Sequence, residues 1–225
     1  MRDGGKRVDW ARILMKIHVI TAGPIQTNAY LLTAPERGEA VLIDAPQGVW
    51  AEVAGILAEE KCALKALWLT HGHFDHIQGV GEVRAAAGVK VYAHEADREM
   101  MANPEIVEAR LGFPLGLKPV SADVWITPGE PLEALGEAAE VRFVPGHCPG
   151  SVLFYFAKKG AAFVGDAIFA GSVGRTDFEG GDFSVLENSI RGQIYTLPDT
   201  TVLYPGHGPT TTVAAEKRGN PYVKA

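Results

Sequence analysis

The chain is short of cysteine, of charge runs and of long apolar stretches, and each shortage removes a class of protein. Its two cysteines, Cys62 and Cys148, cannot build a disulfide framework. That fits a reducing compartment, and a cytoplasmic location is expected. A membrane span needs roughly 20 apolar residues in a row, whereas the apolar stretches here are strand-sized. The first of them, residues 13–20, is broken by Lys16 and His18 and lacks the features of a signal peptide. Positive charge never gathers in a block. Lys and Arg total 21 against 27 Asp and Glu, a net charge of −6, so neither nucleic acid nor a membrane is an expected partner. Nor is there an internal repeat or a low-complexity tract.

What remains is a globular composition. Hydrophobic residues make up 47% of the 225, enough for one large buried core. Met15 offers an alternative start, which makes 1–14 an extension and 15–225 one domain. Apolar runs bounded by turn signals predict strands over 13–20, 29–33, 40–44, 64–70, 89–93, 130–135, 139–144, 151–157, 161–165 and 200–204. Apolar residues at helical spacing predict helices over 48–60, 77–87, 95–102 and 182–194, the last with Asp182 as its cap, and a short one from Thr212. Residues 103–122 read as a loop or short helical cover. Elements mixed in this way imply an α/β or α+β layered domain.

Histidine is where the sequence becomes specific. Of seven histidines, five fall in three glycine-flanked or histidine-dense loops. The densest is His71-Gly72-His73-Phe74-Asp75-His76. Neutral imidazoles and carboxylates suit zinc, manganese or iron. A strand arriving at Thr70 presents His71 and His73 together, while Asp75 and His76 open the next helix toward a different point. That arrangement suits two adjacent metals. His147 in Pro145-Gly146-His147-Cys148-Pro149-Gly150, Asp166 after Phe163-Val164-Gly165, and His207 between Gly206 and Gly208 each follow a predicted strand.

These motifs resemble the metallo-β-lactamase superfamily from about Met15 onward. The resemblance implies a four-layer αββα sandwich. It implies that His71, His73 and His147 hold a first metal, that Asp75, His76 and His207 hold a second, and that Asp166 bridges them. Asp44 matches an early Asp that supports the ligands. Zinc suits the set, with iron and manganese nearly as well suited. Within the superfamily, 145–151 and 165–178 are similar to the short glyoxalase II-like, or hydroxyacylglutathione hydrolase-like, proteins. Only residues 208–225 follow His207, so the C-terminal helical domain that helps hold glutathione in glyoxalase II is not expected. The implied reaction is attack of a metal-bridging hydroxide on a small-molecule thioester, S-acylglutathione-like, or ester, with Asp75 and Asp166 placing the water.

Arg175 has two readings: a fork for a substrate carboxylate, or a structural partner of Asp177. Cys148 reads as a small packing residue where the family usually has Thr. His94 reads as a capping or surface residue, His18 as structural, and Trp10, Trp50, Trp68 and Trp125 as packing. Two rival functions stay open. An iron-dependent persulfide dioxygenase of the same superfamily shares a stretch like Gly174-Arg175-Thr176-Asp177-Phe178, and a non-catalytic metal-binding or sensing module would use the same fold. The sequence leaves the oligomeric state open.

Overall fold

The computed structural model describes residues 15–112 and 114–225. The expected extension 1–14, with Trp10 and the start of the first strand, lies outside the described residues.

The chain builds two sheets in succession. The first runs β1 (Lys16–Ala22), β2 (Thr27–Ala34), β3 (Glu39–Ile43), β4 (Ala63–Trp68), β5 (Lys90–His94) and β6 (Val124–Ile126), in that spatial order. β1 to β3 are antiparallel neighbours, and β3 to β6 are parallel. The parallel steps need crossovers. These are α1 (Trp50–Glu60), then α2 (Phe74–Ile77) with α3 (Val80–Ala87), then α4 (Arg98–Ala102) with α5 (Pro104–Leu111).

The second sheet holds β7 (Leu132–Ala134), β8 (Glu137–Phe143), β9 (Val152–Phe156), β10 (Ala161–Gly165), β13 (Val202–Pro205) and β14 (Thr211–Thr212). A separate hairpin joins β11 (Ile168–Phe169) to β12 (Ser172–Val173). α6 (Phe183–Ser189) precedes β13, and α7 (Val213–Gly219) follows β14. Asp182 caps α6, as the sequence predicts, by accepting from the Val185 N–H. Thr212 caps α7 in the same way, from Ala215.

Three apolar clusters show the layering. Alternation along β2 sends Leu31 toward Val53, Val80 and Val83 on the helices outside the first sheet, and Tyr30 and Leu32 toward the second sheet. Between the sheets, Trp68 packs on Phe154 and Phe156 with ring centroids 5.2 and 6.2 Å apart. Each such side chain, fully buried, contributes about 1.5–3 kcal/mol. Outside the second sheet, Leu153, Val164 and Leu203 meet Leu186, Ile190 and Val213. Helix, sheet, sheet, helix is the αββα sandwich that the motifs imply.

Some elements differ from the sequence reading. The helix expected over 77–87 is two helices, because the chain passes too close to its neighbour at Gly79. A Cβ there would meet the carbonyl oxygens of Ala45 and Pro46, and Gly79 N–H bonds Ala45 O at 2.7 Å. Of the two readings of 103–122 the short helical cover holds for its first part, where Pro104 opens α5 at a first-turn position that tolerates its missing N–H. β6 and the β11–β12 hairpin were not anticipated. They are two or three residues long, too short for a period to register. Among the described residues no helix is long and apolar enough to cross a membrane.

The topology prepares one edge for chemistry. β8 and β10 are each antiparallel to β9, and β10 is parallel to β13, so their C-terminal ends share an edge. The end of β4 is brought there by the first sheet, where Val152 N–H reaches Thr70 O at 2.9 Å.

Candidate metal centre

The ends of β4, β8, β10 and β13 deliver His71, His147, Asp166 and His207 respectively, and the loop from β4 into α2 adds His73, Asp75 and His76. All seven meet. Their donor atoms form three overlapping groups, each within 4.8 Å: His71, His73 and His147; His71, His76 and Asp166; Asp75, His76 and His207. Asp166 stands between the sets. Its Oδ2 lies 3.6 Å from His147 Nε2 and 3.5 Å from His207 Nε2, and its Oδ1 lies 3.3 Å from His76 Nε2.

Hydrogen bonds fix which nitrogen each ring turns inward. His147 Nδ1 faces the Arg175 carbonyl at 2.8 Å. A carbonyl only accepts, so Nδ1 carries the proton and Nε2 a lone pair. Asp44 organises two more rings. Its Oδ2 accepts from Thr70 Oγ1 and from His76 Nδ1, both at 2.8 Å. With the Thr70 proton spent on Asp44, Thr70 Oγ1 accepts from His71 Nδ1 at 3.1 Å. One carboxylate, 1% exposed, thus turns the Nε2 lone pairs of both His71 and His76 inward.

These inward atoms test whether the residues fit a metal. His71 Nε2, His76 Nε2 and Asp166 Oδ1 are buried without a hydrogen-bond partner, a costly state for ordinary polar groups. His73 Nδ1 and His147 Nε2 point at each other across 2.8 Å. Converging lone pairs and orphan acceptors in a buried pocket fit divalent cations.

The charge states agree. Burial, then the neighbouring histidines, hold His71 well below the ordinary imidazole range and bring His73 down to about 3. At His76 burial opposes charge, but Asp75, Asp166 and Asp44 outweigh it and raise the pKa well above the usual value. His207 is raised too, burial being overcome by Asp75 and Asp166. Without metal, His76 and His207 therefore hold their protons more tightly than free imidazoles do. Coordination must expel them. Metal loading at neutral pH is expected to release protons, and apparent affinity to weaken as pH falls. Calorimetric titration in buffers of different ionisation enthalpy checks this; no net proton release would sink it.

Two residues that the sequence did not reveal complete the frame. Thr27 donates to Asp75 Oδ2 at 2.7 Å. The polar run Gln26-Thr27-Asn28 ahead of an apolar strand was its only signal. Asp97 is buried and accepts from Gly72 N at 2.7 Å, Gly150 N at 2.6 Å and Cys148 Sγ at 3.1 Å, joining the loop of His71 and His73 to the loop of His147. Nothing local sets it apart from Glu95. Burial pushes the Cys148 thiol well above its ordinary value, so it stays a packed thiol rather than a thiolate nucleophile. His94 caps the turn after it by accepting from Ala96 N, and His18 bonds Thr33; neither approaches the centre. Arg175 does line the adjoining cavity, but its Nε and Nη2 are held by Asp177 at 2.7 Å and its guanidinium lies 3.8 Å above the Phe178 ring.

Residues 22–207 match the family model of the metallo-beta-lactamase superfamily. The chain belongs to that superfamily. Among curated superfamily relatives, the probable metallo-hydrolase YqgX of Bacillus subtilis is 35% identical, over 93% of this chain and 98% of its own. Hydroxyacylglutathione hydrolase GloC of Haemophilus influenzae is 33% identical, over 94% and 99%. Among solved structures, BLEG-1 B3 metallo-beta-lactamase superposes with a TM-score of 0.85 at 38% identity, covering 93% of this chain and 100% of that one. TTHA1623 in a di-iron-bound form gives 0.80 at 33%, covering 92% and 100%. YqgX, GloC and BLEG-1 differ in the activity they are named for, and TTHA1623 is described with two irons.

Proposed function

We propose that the chain is a binuclear metal-dependent hydrolase of thioesters or esters, of the glyoxalase II-like type. The observation that carries this is the convergence of seven donors, in three overlapping groups, beneath a cavity that five of them line. His71, His73 and His147 would hold one cation, Asp75, His76 and His207 the other, and Asp166 would touch both. Zinc suits these donors; iron and manganese suit them nearly as well, and the TTHA1623 relative is described with two irons. Bound divalent cations supply Lewis acidity, polarising the carbonyl and lowering the pKa of water.

The chain's own residues do the rest. Asp75 and Asp166 are both held below the ordinary carboxylate range: burial opposes ionisation, and His76 outweighs it. They are ionised acceptors at neutral pH, able to orient an attacking water and take its proton. Thr27 fixes Asp75 Oδ2 for that task. Water adds to the carbonyl carbon, the C–S or C–O bond breaks, and the acid and the thiol or alcohol leave. A thiolate is a stable leaving group and asks for no strong proton donor. No protein nucleophile is required, in keeping with the buried Cys148 thiol.

The second reading, an iron-dependent persulfide dioxygenase, is supported by the Gly174–Phe178 stretch and by the likeness to ETHE1 from Myxococcus xanthus, which superposes with a TM-score of 0.77 at 28% identity, covering 93% of this chain and 84% of that one. Elemental analysis decides between them on a sample also assayed for S-lactoylglutathione hydrolysis and for oxygen uptake with glutathione persulfide. About two metals per chain, with hydrolysis that a chelator abolishes and added metal restores, is expected. One iron per chain with oxygen uptake would overturn the hydrolase reading.

A further inference from the structure

The cavity above the donor cluster has a volume of about 820 Å³, within the roughly 300–1,000 Å³ of small-molecule sites. Its walls are apolar. Met100, Phe169 and Phe178 line it, half-buried, and Ile25, Ile106 and Leu115 stand at it 51%, 41% and 39% exposed. These last three come from separate segments: the β1–β2 turn, α5 and the chain beyond it. Large apolar side chains exposed together around one cleft mark a binding surface.

The charges at the cavity point the same way. Among the described lining residues Arg175 is the sole Lys or Arg, against Glu99 and Glu179. Its fork is already filled by Asp177 and its face by Phe178. A substrate carboxylate would have to displace Asp177 from that fork. An uncharged apolar group meets no such opposition.

Resting on the hydrolase reading above, we propose that the preferred substrate is a thioester or ester with an extended apolar acyl group and an uncharged leaving portion. Its carbonyl sits at the donor cluster, and its chain lies along Met100, Ile106, Leu115 and Phe178. Charged glutathione conjugates are poorer substrates.

The test uses the metal-loaded full chain and acyl thioesters of N-acetylcysteamine, a neutral thiol, with acetyl, butanoyl, hexanoyl and octanoyl groups, beside S-lactoylglutathione. The kcat/KM is expected to rise about fourfold per added methylene until the cavity is filled, the equivalent of about 0.8 kcal/mol each, and to exceed that for S-lactoylglutathione by at least about tenfold with the longer chains. Ile106→Asp, at an exposed position where folding is not at stake, should lower the octanoyl-to-acetyl ratio about tenfold. A flat chain-length profile, or a preference for S-lactoylglutathione, overturns this proposal and leaves the hydrolase reading standing. Failure of metal-loaded enzyme to cleave any member of the panel overturns both.

Discussion

Gly206→Ala is expected to lower metal-dependent hydrolysis at least about a hundredfold, although Gly206 is not itself a donor. A Cβ there would run into Asp166 Oδ1 and come within 2.6 Å of His76 Cε1 and 3.1 Å of His76 Nε2. Those are atoms of the carboxylate between the two sets and of a ring in the second set. The backbone has no room to retreat. Gly206 N–H is tied to Gly165 O at 2.9 Å, and Gly206 O accepts from Asn28 N–H at 2.7 Å, so both sheets hold it. The methyl must therefore be accommodated by the donors. Displacement of catalytic groups by about 1 Å costs on the order of a hundredfold. Metal content by elemental analysis and hydrolysis, compared with the unfolding midpoint, give the answer. A fall in metal content and hydrolysis well beyond any fall in the unfolding midpoint of the metal-free protein marks the donors as the displaced groups. Full metal content with full activity would refute the steric argument.

Asp44→Asn should weaken binding of both metals by about 10- to 100-fold, the usual range for a partner of metal-bound histidines. The substitution is nearly isosteric, and Asn tolerates the left-handed φ of 59° at this position. Its amide keeps one acceptor, which Thr70 N–H claims at 2.8 Å. The other arm becomes a donor facing two donors, Thr70 Oγ1 and His76 Nδ1. His76 then has reason to carry its proton on Nε2, where the lone pair is needed, and Thr70 loses its hold on the His71 tautomer. Asp44→Ala goes further. It leaves buried Thr70 N–H and His76 Nδ1 unpartnered, each at about 1–3 kcal/mol, and puts alanine at a positive φ at about 1–2 kcal/mol. A loss of roughly 3–8 kcal/mol in unfolding free energy is expected for it. Competition with a chromophoric chelator and denaturant titration separate the two effects. A folded Asp44→Asn protein with unaltered affinity would show that Asp44 does not set the tautomers.

The donor set was legible because its chemistry is concentrated. Four of the seven donors fall between His71 and His76, and the others stand beside glycines at strand ends, where a side chain has few structural duties. The layers were legible because burial on both faces of a strand leaves an apolar run. What escaped the sequence depends on distant pairings. Asp97 gains its meaning from Gly72 and Gly150, and Thr27 from Asp75, 48 positions away. Arg175 could be placed at the cavity from its loop, but only the structure shows Asp177 already occupying the edge that a substrate would need. The helix at 104–111 was legible only as an alternative to a loop, because it is short and its start is set by a proline and not by a pattern.

The division of the chain between the sheets bears on when this protein becomes an enzyme. The first sheet is complete at Ile126 and the second begins at Leu132. Each of the three donor groups takes at least one member from each side of that boundary: His147 for the first, Asp166 for the second, His207 for the third. A ribosome that has released only the first half has exposed His71, His73, Asp75 and His76, yet no group is whole. The third group becomes whole only once β13 has been made, since His207 follows that strand. A partly made or truncated chain of this protein carries the histidine motif without the reactivity.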